Sequence, residues 1–95
     1  MVKYGMAFGK KRRRHALGLR IEELSIKAQP FAQAVDTEPR DSLPWKNAAG
    51  ELCRLTKESL DLARALGDPP ILDAAESAAA RVRTQCPVEA AAAGL

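Results

Sequence analysis

The chain has 95 residues, the size of one small domain, and a net charge of +3 at pH 7. Its apolar residues include 18 alanines but only four aromatic side chains, so we expect a thin core of marginal stability. No apolar run approaches the roughly 20 residues that cross a bilayer, and none follows the N-terminus as in a secretory signal. We therefore expect a cytoplasmic protein without a membrane partner.

Charge is distributed unevenly along the chain. The first 20 residues carry seven basic side chains and no acidic one, whereas the remaining residues have eight basic against twelve acidic side chains. Five of the basic residues are contiguous, from Lys10 to Arg14. Such asymmetry is typical of a basic segment that contacts nucleic acid, an anionic membrane surface or an acidic protein.

The first third of the chain has apolar residues at helical spacing. They step by three and four residues: Leu17, Ile21, Leu24, Ala28, Phe31 and Val35. Pro30 lies inside this stripe and lacks the N–H that a helix needs, so the predicted helix is kinked or split near Gln29. A strand is the alternative within residues 16–28, because Leu17, Leu19 and Ile21 alternate. We favour the helix because good helix formers follow and no second strand is evident.

The next two segments predict an antiparallel helical hairpin, over about 43–66 and 69–86. Ser42 is typical of a helix N-cap, Pro44 of a first turn and Gly67 of a helix end. The first hairpin helix has one apolar face, formed by Trp45, Ala48, Leu52, Leu55, Ser59, Leu62 and Leu66. The second, capped by Asp68, has a face made mostly of alanine: Ile71, Ala75, Ala78, Val82 and Cys86. Small side chains and a short connection favour close antiparallel packing.

These elements predict an all-α fold in which the kinked or split N-terminal helix packs on the hairpin. They divide the chain into a basic N-terminal arm (1–15), a single small helical domain (16–87) and a C-terminal tail (88–95). The tail is predicted to be either one more helical turn or disordered. The leucine stripe either forms an intramolecular core or, with the thin alanine face, leaves apolar area for a second subunit. A homodimer through the leucine and alanine faces is therefore one of the predicted associations.

Catalytic chemistry has little support in the sequence. His15 is the single histidine and has no carboxylate near it in sequence to orient it. No hydrolase, metalloprotease or nucleotide-binding motif occurs. Cys53 and Cys86 are isolated, so we predict reduced cysteines that serve as small apolar residues, with a disulfide between them as the alternative. We predict a protein that is not an enzyme and that holds no cofactor and no metal.

The contiguous basic residues from Lys10 to Arg14 are the feature of the sequence that indicates a ligand. Contiguous charges repel one another, and contact with phosphates relieves this repulsion and releases counterions. Arginine adds planar donors suited to phosphate, and aromatic rings stack on unpaired bases. The predicted phosphate contacts are Lys10, Lys11, Arg12, Arg13, Arg14 and Arg20, and the predicted stacking residues are Tyr4 and Phe8.

The sequence therefore predicts a small helical nucleic-acid-binding protein, with DNA and RNA both open as the ligand. One alternative is a non-enzymatic protein-interaction module, such as an adaptor, an inhibitor or an assembly subunit, whose basic arm docks on an acidic protein surface. Another is a solvated arm without a ligand. The alanine-rich, lysine-poor remainder of the chain is typical of GC-rich bacterial or phage genomes, which favours a phage or plasmid protein.

Overall fold

The protein is all-α, as the sequence predicts. A computed structural model describes the backbone from Val2 to Leu95 and the side chains from Arg12 onward. It contains four helices, α1 (Val2–Thr37), α2 (Leu43–Leu66), α3 (Pro69–Gln85) and α4 (Pro87–Ala92), and the described chain has no strand. The helix prediction for residues 16–28 is therefore confirmed over the strand alternative. The predicted hairpin corresponds to α2 and α3.

Helix α1 is unbroken through Pro30. The predicted break near Gln29 is absent, so of the two alternatives the split is not found. Pro30 itself is exposed, while Leu24 and Val35, on either side of it, are buried. A proline inside a helix costs about 3 kcal/mol. Packing on both sides of Pro30 offsets that cost, because tertiary contacts contribute more to helix stability than intrinsic propensity does.

The ends of α2 follow the predicted capping pattern. The Ser42 hydroxyl accepts a hydrogen bond from the backbone N–H of Trp45 at 3.3 Å, and Pro44 lies in the first turn. Gly67 ends the helix with φ 72° and donates its N–H to the carbonyl of Ala63. These groups satisfy backbone donors and acceptors that a helix end would otherwise leave unpaired. Asp68 lies at the predicted cap of α3, but its side chain makes no capping hydrogen bond.

Helix α2 is the central element, because it packs against α1, α3 and α4. The predicted stripe holds over its first half, where Trp45, Ala48, Leu52 and Leu55 are buried. Farther along, Leu62 and Leu66 are only half-buried, and burial continues instead on a second stripe: Ala49, Cys53, Thr56, Leu60 and Ala63. A helix with neighbours on more than one side buries more than one stripe, which explains the difference from a single predicted face.

Trp45 joins α1 to the start of α2. The indole is 4% exposed, and its Nε1–H donates to the carbonyl of Val35 at 3.1 Å. The guanidinium of Arg40, in the connecting loop, lies 5.5 Å from the centroid of the indole ring. At the other end of the α1–α2 helix pair, Arg20 on α1 donates to Glu58 on α2 at 3.0 Å. These two contacts place α1 antiparallel to α2.

The C-terminal residues form a short helix instead of a disordered tail. Cys86 separates α3 from α4, and Ala90 in α4 is buried against the core formed with Cys53 and Val82. The Arg83 side chain donates to the carbonyl of Leu95 at 3.0 Å. The first alternative for the tail, one more helical turn, is the one found. Among the described residues, no helix combines the length and the apolar character needed to cross a membrane.

Gly50, inside α2, and Gly67, at its C-cap, give a matched test of the backbone conformation assigned to each position. Gly67→Ala is expected to lower the free energy of unfolding by about 1 kcal/mol, because φ 72° disfavours any side chain. Gly50→Ala is expected to raise it by up to about 1 kcal/mol, because Gly50 is helical and a Cβ there meets no atom within 4 Å. Urea unfolding followed by circular dichroism measures both, and equal signs for the two variants would contradict the assigned cap.

Candidate nucleic-acid interface

The basic end of α1, defined here as Arg12, Arg13, Arg14 and His15, is exposed to solvent. All four side chains are exposed and belong to one continuous helix. Consecutive helical residues are rotated by about 100°, so the four side chains project around the whole circumference of the helix. Arg13, Arg14 and His15 form no hydrogen bond or ion pair with any described residue. These side chains are available to a ligand without breaking an internal contact with a described residue.

The basic end lies where α1 leaves the rest of the fold. The Arg20–Glu58 contact sets the register of the two antiparallel helices, and α2 ends at Leu66, eight residues beyond Glu58. Eight residues of helix span about 12 Å, so α2 ends close to the level of Arg12. The molecule is correspondingly elongated, with principal extents of 59 × 20 × 18 Å. A nucleic acid can therefore approach the basic end from most directions.

Arg20, also predicted as a phosphate contact, is bound within the protein. Its guanidinium donates to Glu23 and to Glu58, each at 3.0 Å. The hydrogen bond to Glu23, followed by the hydrogen bond and charge of Glu58, raises the pKa of Arg20 above its usual value. Contact between Arg20 and a phosphate would have to use the N–H donors that Glu23 and Glu58 leave free. The Arg20–Glu58 ion pair instead links α1 to α2 below the basic end, while the Arg20–Glu23 pair lies within α1.

The remaining predicted site residues fall outside the described side chains. Lys10 and Lys11 precede Arg12 in α1, as do the predicted stacking residues Tyr4 and Phe8. Their roles remain predictions. Among described residues, Arg64 was not among the predicted contacts. Arg64 is exposed in the last turn of α2, at the same end of the molecule as Arg12, and the antiparallel arrangement of α1 and α2 is the signal that locates it.

The described residues offer little for metal binding. They contain no group of three or more histidine, cysteine or acidic side chains that could hold a metal ion. The exposed basic end, with its arginines and single imidazole, is suited to binding an anion by charge and hydrogen bonding.

Comparison of the chain with protein-family models, with curated proteins and with solved structures gives no match.

The two cysteines lie together in the core, where α2 meets the junction of α3 and α4. Cys53 and Cys86 are both 0% exposed, and both are free thiols. Burial, with smaller contributions from Cys86 and Glu89, raises the pKa of Cys53 to about 12. Burial also raises the pKa of Cys86, although the hydrogen bond to Cys53 opposes the rise. The reduced, apolar role predicted from the sequence agrees with this environment.

Both thiols are expected to resist alkylation by a maleimide at pH 8 in the folded protein. In the unfolded chain, where cysteine has a pKa of about 8.5, alkylation accelerates as pH rises from 7 to 9. In the folded protein Cys53 stays protonated over this range, since its pKa is raised to about 12. Mass spectrometry of modified protein, with and without denaturant, measures both rates. Rapid labelling of the folded protein at pH 8 would contradict the buried placement.

Proposed function

We propose that the protein binds nucleic acid through the basic end of α1, which contacts phosphates of the ligand. One observation carries this proposal: four consecutive exposed side chains, three of them arginines, project around a helix at the level of the last turn of α2. The proposal is of a binding protein and assigns no catalytic residue.

The geometry of a helix suits it to a nucleic-acid groove. The major groove of B-DNA is about 12 Å wide, close to the 10–12 Å diameter of an α-helix with its side chains. Arg12, Arg13 and Arg14 differ in direction by about 100° from one to the next, so a helix lying in the groove presents arginines toward both walls. Bidentate arginine–phosphate hydrogen bonds and the release of counterions then supply the binding free energy.

Two acidic side chains near the basic end are directed into internal contacts, which favours a separation of charge, whereas Glu22 is exposed. Glu23 accepts from Arg20, and Glu58 accepts from the same guanidinium. No acidic residue precedes Glu22 in the chain. The basic end consequently keeps its positive potential, and attraction of a polyanion to this end orients the molecule before contact.

The triple variant Arg12→Ala, Arg13→Ala, Arg14→Ala is expected to weaken binding to a 20-base-pair DNA duplex and to a single-stranded RNA of equal length. On duplex DNA, log K falls with log salt concentration, and each lost phosphate contact makes this slope shallower by about 0.9. The triple variant is therefore expected to reduce the steepness of the slope by about 2 to 3. Alanine keeps the helix, because its helix propensity is the highest. Fluorescence anisotropy across a salt series measures affinity and slope on both probes.

A second triple variant provides the control for net charge. Lys27→Ala, Lys46→Ala, Arg54→Ala removes the same number of charges from exposed positions away from the basic end. It is expected to leave the salt slope nearly unchanged. Equal losses in the two triple variants, or wild-type binding weaker than about 10 μM at low salt, would overturn the proposal.

The second candidate function is a protein-interaction module. One specific observation favours it: an open groove of about 800 Å³, largely apolar, lies between α1, α2 and α3. If the protein is such a module, its basic end docks on an acidic surface of the partner protein. Absorbance at 260 nm relative to 280 nm after mild purification separates the two candidates, because retained nucleic acid raises that ratio and a protein partner does not.

A further inference from the structure

The groove between α1 and α3 is long, open along one side and lined by predicted core residues. Its floor is formed by α2, through Leu52, Leu55, Thr56 and Ser59. Its α1 wall runs from Gly18 to Asp36, which corresponds to about 27 Å of helix. At one end the walls converge, where the Gln85 amide donates to the carboxylate of Asp36 at 3.2 Å.

Apolar side chains in this groove lack a covering layer within the chain. Ile21 and Ala28 on α1 belong to the predicted core stripe of that helix, yet both are only half-buried. The same holds on α3 for Ile71, Ala75 and Ala78. These five side chains are therefore only partly covered within the chain, although Leu24 and Val82 of the same stripes are buried. Removing this apolar area from water favours association with another helix.

We propose that α3 of a second copy of the chain fills this groove, and that the contact is reciprocal. Helix α3 has 17 residues and a length of about 25 Å, which matches the groove. Its groove face carries Ala74, Ala75 and Ala78, so two α3 helices can approach toward the lower end of the 8–10 Å range of interaxial distances. Because α3 is both a wall of its own groove and the helix inserted into the other, a two-fold axis relates the copies.

Charge complementarity favours a second copy as the occupant. Glu22 stands on the α1 wall and Arg81 on the α3 wall, and both side chains are exposed. Neither forms a hydrogen bond or ion pair with a described residue of its own chain. In the reciprocal contact, Arg81 faces Glu22 of the partner subunit, and the two-fold axis generates this ion pair twice. Opposite charges on the two walls of one groove are what a self-complementary interface requires.

The dimer is tested by sedimentation equilibrium of the full chain, after nuclease treatment, over about 5 to 200 μM, a range that detects micromolar dissociation constants. We expect a reversible monomer–dimer equilibrium. Ala78→Glu is expected to shift it to monomer, because a carboxylate would enter the apolar contact. Position 78 is half-buried in the free chain, so the variant keeps its fold, which circular dichroism verifies. A wild-type chain that stays monomeric at about 200 μM overturns the proposal.

A charge exchange tests the placement of the helices. Glu22→Arg and Arg81→Glu alone are each expected to raise the dimer dissociation constant about tenfold or more, since each places like charges together twice. The double variant Glu22→Arg, Arg81→Glu is expected to restore dimerisation to within about threefold of wild type. As controls, Lys27→Glu and Glu76→Arg reverse exposed charges outside the groove and should have little effect. A dimer that persists in both single variants, or is not restored in the double variant, overturns the proposed contact.

Discussion

Burial of α2 on more than one side is the constraint on which the rest of this structure depends. Alanine contributes little area to a core, and the chain has 18 alanines and four aromatic residues, so one layer of helices cannot bury enough surface. The structure places α1 on one side of α2 and α3 with α4 on another, which covers two stripes of the same helix. Trp45, at the start of α2, then contributes the largest buried side chain and ties α1 to the hairpin through Val35.

The groove follows from the same arrangement. When α1 and α3 both pack on α2, they converge where Asp36 and Gln85 are hydrogen-bonded, and a groove remains between them over the buried residues Leu52 and Leu55. Larger side chains at Ala75 and Ala78 would fill part of this space. Because alanine side chains are short, another helix can approach the surface of α3 closely at these two positions. A core that is thin within one chain is thus also a surface that favours association.

The local features of the fold could be predicted from sequence, because they depend on residues close together in the chain. Ser42, Pro44 and Gly67 define the ends of α2, and the spacing of apolar residues identifies α1 and α3 as helices. The effect of Pro30 was not predictable in the same way, because whether α1 splits depends on how strongly α2 holds it on each side. The second buried stripe of α2 was missed for a related reason, since a single-face pattern presumes one packing partner.

The candidate site was predictable as a cluster of charge but not as an arrangement in space. Contiguity alone identifies Arg12 to Arg14, and the structure shows their exposure. The partners of Arg20 are a different case. Glu23 is one turn away and could be anticipated, whereas Glu58 is 38 residues distant and depends on the register of α1 against α2. The adjacency of Cys53 and Cys86 likewise follows from the packing of α4, which no local pattern encodes.

Continuity of α1 changes what the basic residues can do in binding. A flexible arm loses about 1–2 kcal/mol of backbone conformational entropy for each residue that becomes ordered on a ligand. In α1 the arginines already lie on a helix whose later turns are held by Leu24 and Val35 against α2. That packed part supplies the costly nucleus from which helix extends toward Arg12. Under the proposed function, binding costs less backbone ordering entropy, because the direction in which each arginine side chain leaves the helix is set before a phosphate arrives.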